Sequence, residues 1–265
     1  MITFPNGKIN IGLQVTGKRH DGFHDLQTIF YPISIKDVLE IIDSPILNFS
    51  SGGLHIDASQ NLCVQAYNLL KKDFQIPPVH IHLHKLIPVG AGLGGGSADA
   101  TSCLQLLNEK CKLDLTTMQL NNYALALGSD CPFFLLNKPC YATGRGEKLE
   151  EIALDLSSYK ILLVHPGIHI NTGWAFSQLN INTNFSDLKK NVSQPVTKWK
   201  ENILNDFEKP VFTAYPAIEA LKNEMYQHGA VYAAMSGSGS SVFGIFTKDS
   251  TPILNFPPDY FSKWV

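Results

Sequence analysis

From Ile9 to Val15 apolar residues (Ile9, Ile11, Leu13, Val15) alternate with Asn10, Gly12 and Gln14. A period of two predicts a strand with one face buried and the other wet. The polar run Gly17-Lys18-Arg19-His20-Asp21-Gly22 reads as a turn. Strand patterns follow over 27–35, 38–42 and 79–83. Between the last two, Asn61 stands where an N-cap belongs, ahead of apolar positions at helical spacing over 62–72. The pattern predicts a second helix from Ser97 to about Asn108. A third opens with the capping-box pair Thr116 and Gln119 and stops at Gly128. Further on, 160–164 reads as a strand and 180–200 as a polar loop or frayed helix. Residues 216–227 form a helix ended by Gly229, and strands over 231–235 and 241–246 flank a Gly/Ser loop. Strands and helices mix without strict alternation, which predicts an α+β protein. A fresh strand near 157–159 divides the chain into 1–157 and 158–265.

Composition narrows the function. The 265 residues, 44% hydrophobic and 17% charged, suffice for one large core or two modest ones. A net charge of −2 offers no basic field for nucleic acid or an anionic membrane. Cys63, Cys103, Cys111, Cys131 and Cys140 are odd in number and show no C-x-x-C spacing. They read as small hydrophobes rather than as disulfides or zinc ligands. Residues 1–10 lack a secretory pattern and no apolar run of about 18 occurs. The expectation is a reduced cytoplasmic enzyme, a monomer or weak homodimer. His80, His82 and His84 share one face of a strand, with His20 elsewhere. No carboxylate or Cys joins them at ligand spacing, so a solvated face is the better reading than a metal site.

The sharpest feature is Pro88-Val89-Gly90-Ala91-Gly92-Leu93-Gly94-Gly95-Gly96-Ser97-Ala98, running into a helix. Bare backbone can approach a ligand closely, and a helix N-terminus presents unpaired N–H groups and partial positive charge. That construction suits a polyphosphate. Gly90 to Gly95 formally meets G-x-G-x-x-G, but Lys85 to Pro88 separate it from the strand, unlike a dinucleotide fold. No lysine precedes Ser97, so it is no Walker A loop. A flexible surface loop is the bland alternative.

Taken with two further segments, the loop resembles the signature of the GHMP kinase superfamily. The usual Pro-x-x-x-Gly-Leu-Gly-Gly-Gly-Ser-Ser is met by Pro88 and Gly92 to Ser97, with Ala98 in place of the second Ser. Lys8-Ile9-Asn10-Ile11-Gly12-Leu13, continuing to Gly22-Phe23-His24, is similar to the opening of the branch that acts on a cytidine-diphosphate-linked polyol. Met235-Ser236-Gly237-Ser238-Gly239-Ser240-Ser241 resembles the superfamily's C-terminal Gly-rich motif. Two departures stand out: Asn6-Gly7 replaces the usual Pro-Ala, and Phe23 replaces Tyr.

The resemblance implies two domains with the active site in the cleft between them. One is an N-terminal ATP-binding domain like domain 2 of ribosomal protein S5; the other is a ferredoxin-like substrate domain. It implies ATP as cofactor, with Mg²⁺ reached by Ser97. The segment Pro88 to Ala98 would hold the phosphates, with Asn61 and Lys85 near adenine. Asp130 would take or orient the hydroxyl proton beside Lys8. As residues alone, Asp130 could be a helix cap and Lys8 a solvated lysine, Ser97 and Asn61 could be caps, and Lys85 a surface charge. For the substrate, Phe23 and Phe176 would stack on cytosine and His24 would read its edge. Asn10 and Phe30 would line the cleft, and Thr172 would touch the diphosphate. Asp99 is given no role. The alternatives are another GHMP kinase, acting on homoserine, mevalonate or a sugar, and a nucleotide-binding regulator without catalysis.

Overall fold

The computed structural model describes residues 1–56, 61–181, 185–250 and 252–265. In chain order the strands are β1 (Ile2–Thr3), β2 (Asn6–Lys18), β3 (His24–Lys36), β4 (Val38–Asp43), β5 (Asn48–Gly53) and β6 (Val79–Lys85). They continue with β7 (Cys140–Thr143), β8 (Lys148–Glu151), β9 (Tyr159–His165), β10 (Tyr232–Met235), β11 (Val242–Thr247) and β12 (Phe261–Trp264). The helices are α1 (Leu62–Asp73), α2 (Gly95–Lys110), α3 (Thr117–Leu127), α4 (Cys131–Leu136) and α5 (Thr172–Ser177). After them come α6 (Leu188–Val192), α7 (Trp199–Asn202), α8 (Glu208–Ala214) and α9 (Pro216–Gln227). The class is α+β. Two compact units interleave along the chain: Met1–Lys8, Pro32–Val89 and Gly94–Asn137 form one, and Ile9–Tyr31, Gly90–Leu93 and Lys138–Val265 the other. The division at 157–158 is one of sequence segments and remains an expectation.

In the first unit the sheet order is β1-β4-β6-β5, with β5 parallel to β6 and the other pairs antiparallel. Alternation in β6 sends Val79, Ile81 and Leu83 into a core shared with Tyr67 and Leu70 of α1 and Leu104 and Leu107 of α2. Cys63, Cys103 and Cys131 lie in that core as small apolar groups, and burial pushes the Cys131 thiol up to about 11. The opposite face of β6 carries His80, His82 and His84, half-buried or exposed. Ser50 Oγ lies 2.7 Å from Nε2 of His80 and 2.8 Å from Nδ1 of His82. Asn61 caps α1, its Oδ1 accepting from Cys63 N at 2.8 Å. Thr116 and Gln119 form the expected capping box on α3.

In the second unit β10-β11-β9-β12 is antiparallel throughout. Leu162 and Val164 of β9 and Phe246 of β11 share a core with Ile218, Leu221 and Met225 of α9. A third sheet, β2-β3-β7-β8, contains the long strands that run through both units. The segment over 180–200 holds α6, a 3-10 turn (Val196–Lys198) and α7; residues 182–184 lie outside those described.

Strand β2 departs from expectation. Its polar face is buried too, because each polar side chain meets a partner: Lys8 with Asp130, Asn10 with Thr28, Gln14 with Ser186 and Gln27. The unpredicted strands β1, β5, β7, β8 and β12 are short or polar, and their ladders rather than their periodicity define them. No helix among the described residues is long and apolar enough to cross a membrane. Leu104→Ala should cost about 2–5 kcal/mol of unfolding free energy, read from the midpoint of a urea titration.

Candidate active site

Helix α2 begins at Gly95, two residues before the expected start, because Gly94 takes the N-cap position at φ +68°. A glycine cap has no side chain to satisfy the first-turn N–H groups, so they face outward with the positive end of the helix dipole. A Cβ on Gly94 would stand 2.9 Å from Phe134 Cζ and 3.1 Å from Lys8 Cε, so the bare backbone lets the lysine stem pass. Gly96 differs. It is exposed, and a Cβ there would meet nothing nearer than Leu62 Cδ1 at 3.7 Å. No described residue requires glycine at that position, and the space in front of it is open.

Lys8 extends past Gly94 to Asp130, with Nζ 3.3 Å from Oδ2. The lysine side chain is 4% exposed and the aspartate 34%, so the pair has one dry member and one open to solvent. Asp130 precedes α4, yet its side chain makes no cap hydrogen bond, so the capping role open to it on sequence is not taken. Ser97 stands in the first turn of α2 rather than at its cap, and its hydroxyl bonds to the thiol of Cys131, the neighbour of Asp130. Thr101 Oγ1 donates to Cys131 O at 3.0 Å. Asn6, at the first departure from the family pattern, exchanges two amide bonds with Asn137, of 3.1 and 2.8 Å. These bonds tie the start of β2 to the end of α4. The first unit thus brings together Lys8, Asp130 and Gly94 to Ser97.

The second unit holds Gly90 to Leu93. Gly92, at φ +78°, lies so close to the Gly/Ser loop between β10 and β11 that a Cβ would be 2.0 Å from Ser236 O. Ser236 Oγ donates to Gly92 O at 2.9 Å and accepts from Asn10 N at 3.1 Å. Asn205 Nδ2 donates to Met235 O and Gly237 O, each at 2.8 Å. The C-terminal Gly-rich motif therefore braces this part of the loop.

The aromatic residues pair differently from expectation. His24 stacks on Phe176, centroids 4.6 Å apart and planes 14° off parallel. Phe23 is 49% exposed and carries the Arg145 guanidinium over its ring at 4.4 Å. Burial, and then the charge of Lys18, hold the His24 imidazole below the usual histidine value. Thr172, on the first turn of α5, lies 3.2 Å from Ser238 through the two hydroxyls. Asn10 and Phe30 are each only 2% exposed, with Asn10 Nδ2 donating to Thr28 Oγ1 at 3.0 Å. They sit beneath the surface rather than on it.

Lys85 is not a surface charge. It is buried between Asp37 and Asp99. Burial opposes its charge, but the two carboxylates together outweigh that and raise its pKa. The carboxamide oxygen of Asn61 is engaged in capping. Arg145, Asp37, Asp99 and Asn205 went unassigned on sequence. Arg145 stands between Gly144 and Gly146, and no local pattern places it over Phe23.

The chain matches the family model for the GHMP kinases N terminal domain over residues 61–138 and that for GHMP kinases C terminal over 188–254. It is 51% identical over 258 residues to 4-diphosphocytidyl-2-C-methyl-D-erythritol kinase of Bacteroides fragilis, covering 94% of this chain and 93% of that one. It is 49% identical to the protein of that name from Parabacteroides distasonis, covering 94% and 92%. The chain belongs to this family of GHMP kinases. A crystal structure of 4-(cytidine 5'-diphospho)-2C-methyl-D-erythritol kinase superposes with a TM-score of 0.78 at 30% identity, over 92% of this chain and 90% of that one. Mevalonate kinase of Methanococcus jannaschii, at 12% identity and a TM-score of 0.69, shares the fold. As a kinase of this family the chain uses ATP. Gly96→Val in this kinase should hold the thermal midpoint within about 2 °C and raise KM for ATP at least about tenfold, checked by a melt and by initial rates.

Proposed function

We propose that the chain transfers the γ-phosphoryl group of ATP to the 2-hydroxyl of 4-diphosphocytidyl-2-C-methyl-D-erythritol, a step of isoprenoid precursor synthesis by the non-mevalonate route. The observation that carries the reading is the nearly buried Lys8 ammonium 3.3 Å from Asp130, beside a helix start with no capping side chain. Phosphoryl transfer needs held phosphates, stabilised charge and an aligned hydroxyl. First-turn N–H groups at Gly95 to Ser97 bind phosphate oxygens. The Asp130 carboxylate accepts the hydroxyl proton as the acceptor oxygen bonds to the γ-phosphorus. The bond to the bridging oxygen breaks, and ADP leaves with its electron pair. Lys8 offsets negative charge gathering on the transferred group. A regulator without chemistry would have no use for this pair.

Among the described residues, the Ser97 hydroxyl and the Asp130 carboxylate are oxygen donors next to the loop in the first unit. That set fits a Mg²⁺ held mainly by the nucleotide's phosphates and touching the protein through one side chain. When bound, the ion would neutralise phosphate charge.

For the acceptor, Phe23 and Phe176 offer ring faces to cytosine, and Arg145 behind Phe23 stiffens one of them. Because His24 stays neutral below the usual histidine range, it can present one donor and one acceptor nitrogen to the base edge. Asn10 and Phe30 support this pocket from beneath, and Thr172 with Ser238 offers hydroxyls to the diphosphate.

A coupled assay scanning CDP-methylerythritol, homoserine and mevalonate should show turnover with the first alone; turnover of only the others would refute the reading. Asp130→Ala should lower kcat by about 10²–10⁴-fold while ATP still binds in a titration. His24→Ala should raise KM for the cytidyl substrate about tenfold and leave KM for ATP unchanged. In the unaltered enzyme, KM for the cytidyl substrate should stay flat from pH 8 to about 6.5 and climb only at lower pH, as the imidazole takes its proton.

A further inference from the structure

We propose that Asp37, Lys85 and Asp99 are positioning residues, a buried ionic clamp that holds the two ends of the glycine loop at a fixed separation. Lys85 closes β6 at the loop's entry, and Asp99 lies in the second turn of α2 at its exit. Asp37 joins β3 to β4. One of its oxygens accepts from Leu86 N at 2.6 Å and Ile87 N at 2.8 Å, and the other pairs with Lys85. Lys85 Nζ also meets Asp99 Oδ2 at 2.6 Å. All three residues are buried. The first residue of α2 rests directly on the clamp, since a Cβ on Gly95 would stand 2.9 Å from both Lys85 Nζ and Ile87 Cγ2. Residues 88–94 therefore span a gap whose two edges share one ammonium.

Electrostatics separates this role from ligand binding. Two carboxylates around one ammonium leave no net positive charge for a phosphate, and the ammonium's donors face inward. Asp99 Oδ1, buried, has no hydrogen-bond partner among the described residues. Such an oxygen is costly to keep, which fits a side chain retained for where it holds α2. A misplacement of about 1 Å at a reacting group can cost about 10²-fold in rate, so fixing the loop's edges bears directly on ATP.

The clamp rests on the reading that the glycine loop holds ATP, and the test separates the two. KM for ATP, KM for CDP-methylerythritol and the thermal midpoint are measured for Asp37→Asn, Asp99→Asn, Lys85→Met and Gly96→Val. Both Asn variants should raise KM for ATP about three- to tenfold with KM for the polyol within about twofold, and Lys85→Met should raise it further. Should Lys85→Met fail to fold, the near-isosteric Asn variants still decide. Unchanged KM for ATP in both Asn variants would overturn the clamp. So would parallel rises in both KM values that follow a falling midpoint, the mark of general destabilisation. If Gly96→Val also leaves KM for ATP unchanged, the loop reading fails and takes the clamp with it. If Gly96→Val is impaired and the Asn variants are not, only the clamp fails.

Discussion

An ammonium removed from water must be compensated by charge or by fixed hydrogen bonds. Lys8 is in that position, its side chain 4% exposed and its Nζ within 3.3 Å of Asp130. Much of the first unit serves the pairing. Gly94 lacks the side chain that would block the lysine stem, and α4 begins where Asp130 can reach it. The Asn6–Asn137 amide pair joins the two elements that carry the ions. The pair has one dry member and one open to solvent, and the open carboxylate is the side chain proposed to meet an incoming hydroxyl.

Local order was legible wherever a pattern repeats within a few residues. Alternation over 79–83 located the buried face of β6, and Thr116 with Gln119 located the start of α3. The glycine run pointed to a polyphosphate because few other uses explain bare backbone opening an apolar helix. Partners distant in the chain were not legible. Nothing near Lys85 shows that Asp37 and Asp99 will enclose it, 48 and 14 residues away. Nothing near Asn10 or Gln14 shows that their strand face will be covered. The start of α2 was misplaced for a related reason. Ser97 has the chemistry of a cap, but the left-handed turn that ends the loop occurs at Gly94.

The aromatic residues teach the same lesson at finer grain. The resemblance gave Phe23 and Phe176 the faces of cytosine and His24 its edge, and the structure stacks a pair of the three. It joins His24 to Phe176 and leaves Phe23 to a guanidinium. Ring faces are interchangeable in a sequence pattern, whereas the choice of partner depends on backbone direction at the β2–β3 turn and along α5.

The chain passes from one compact unit to the other after Lys8, Tyr31, Val89, Leu93 and Asn137. A single truncation therefore cannot isolate either unit: residues 1–137 hold every segment of the first but carry Ile9–Tyr31 and Gly90–Leu93 of the second with them. Wherever the chain is cut, at least one unit is divided between the two fragments, so neither half of the protein can be inherited or lost as a block.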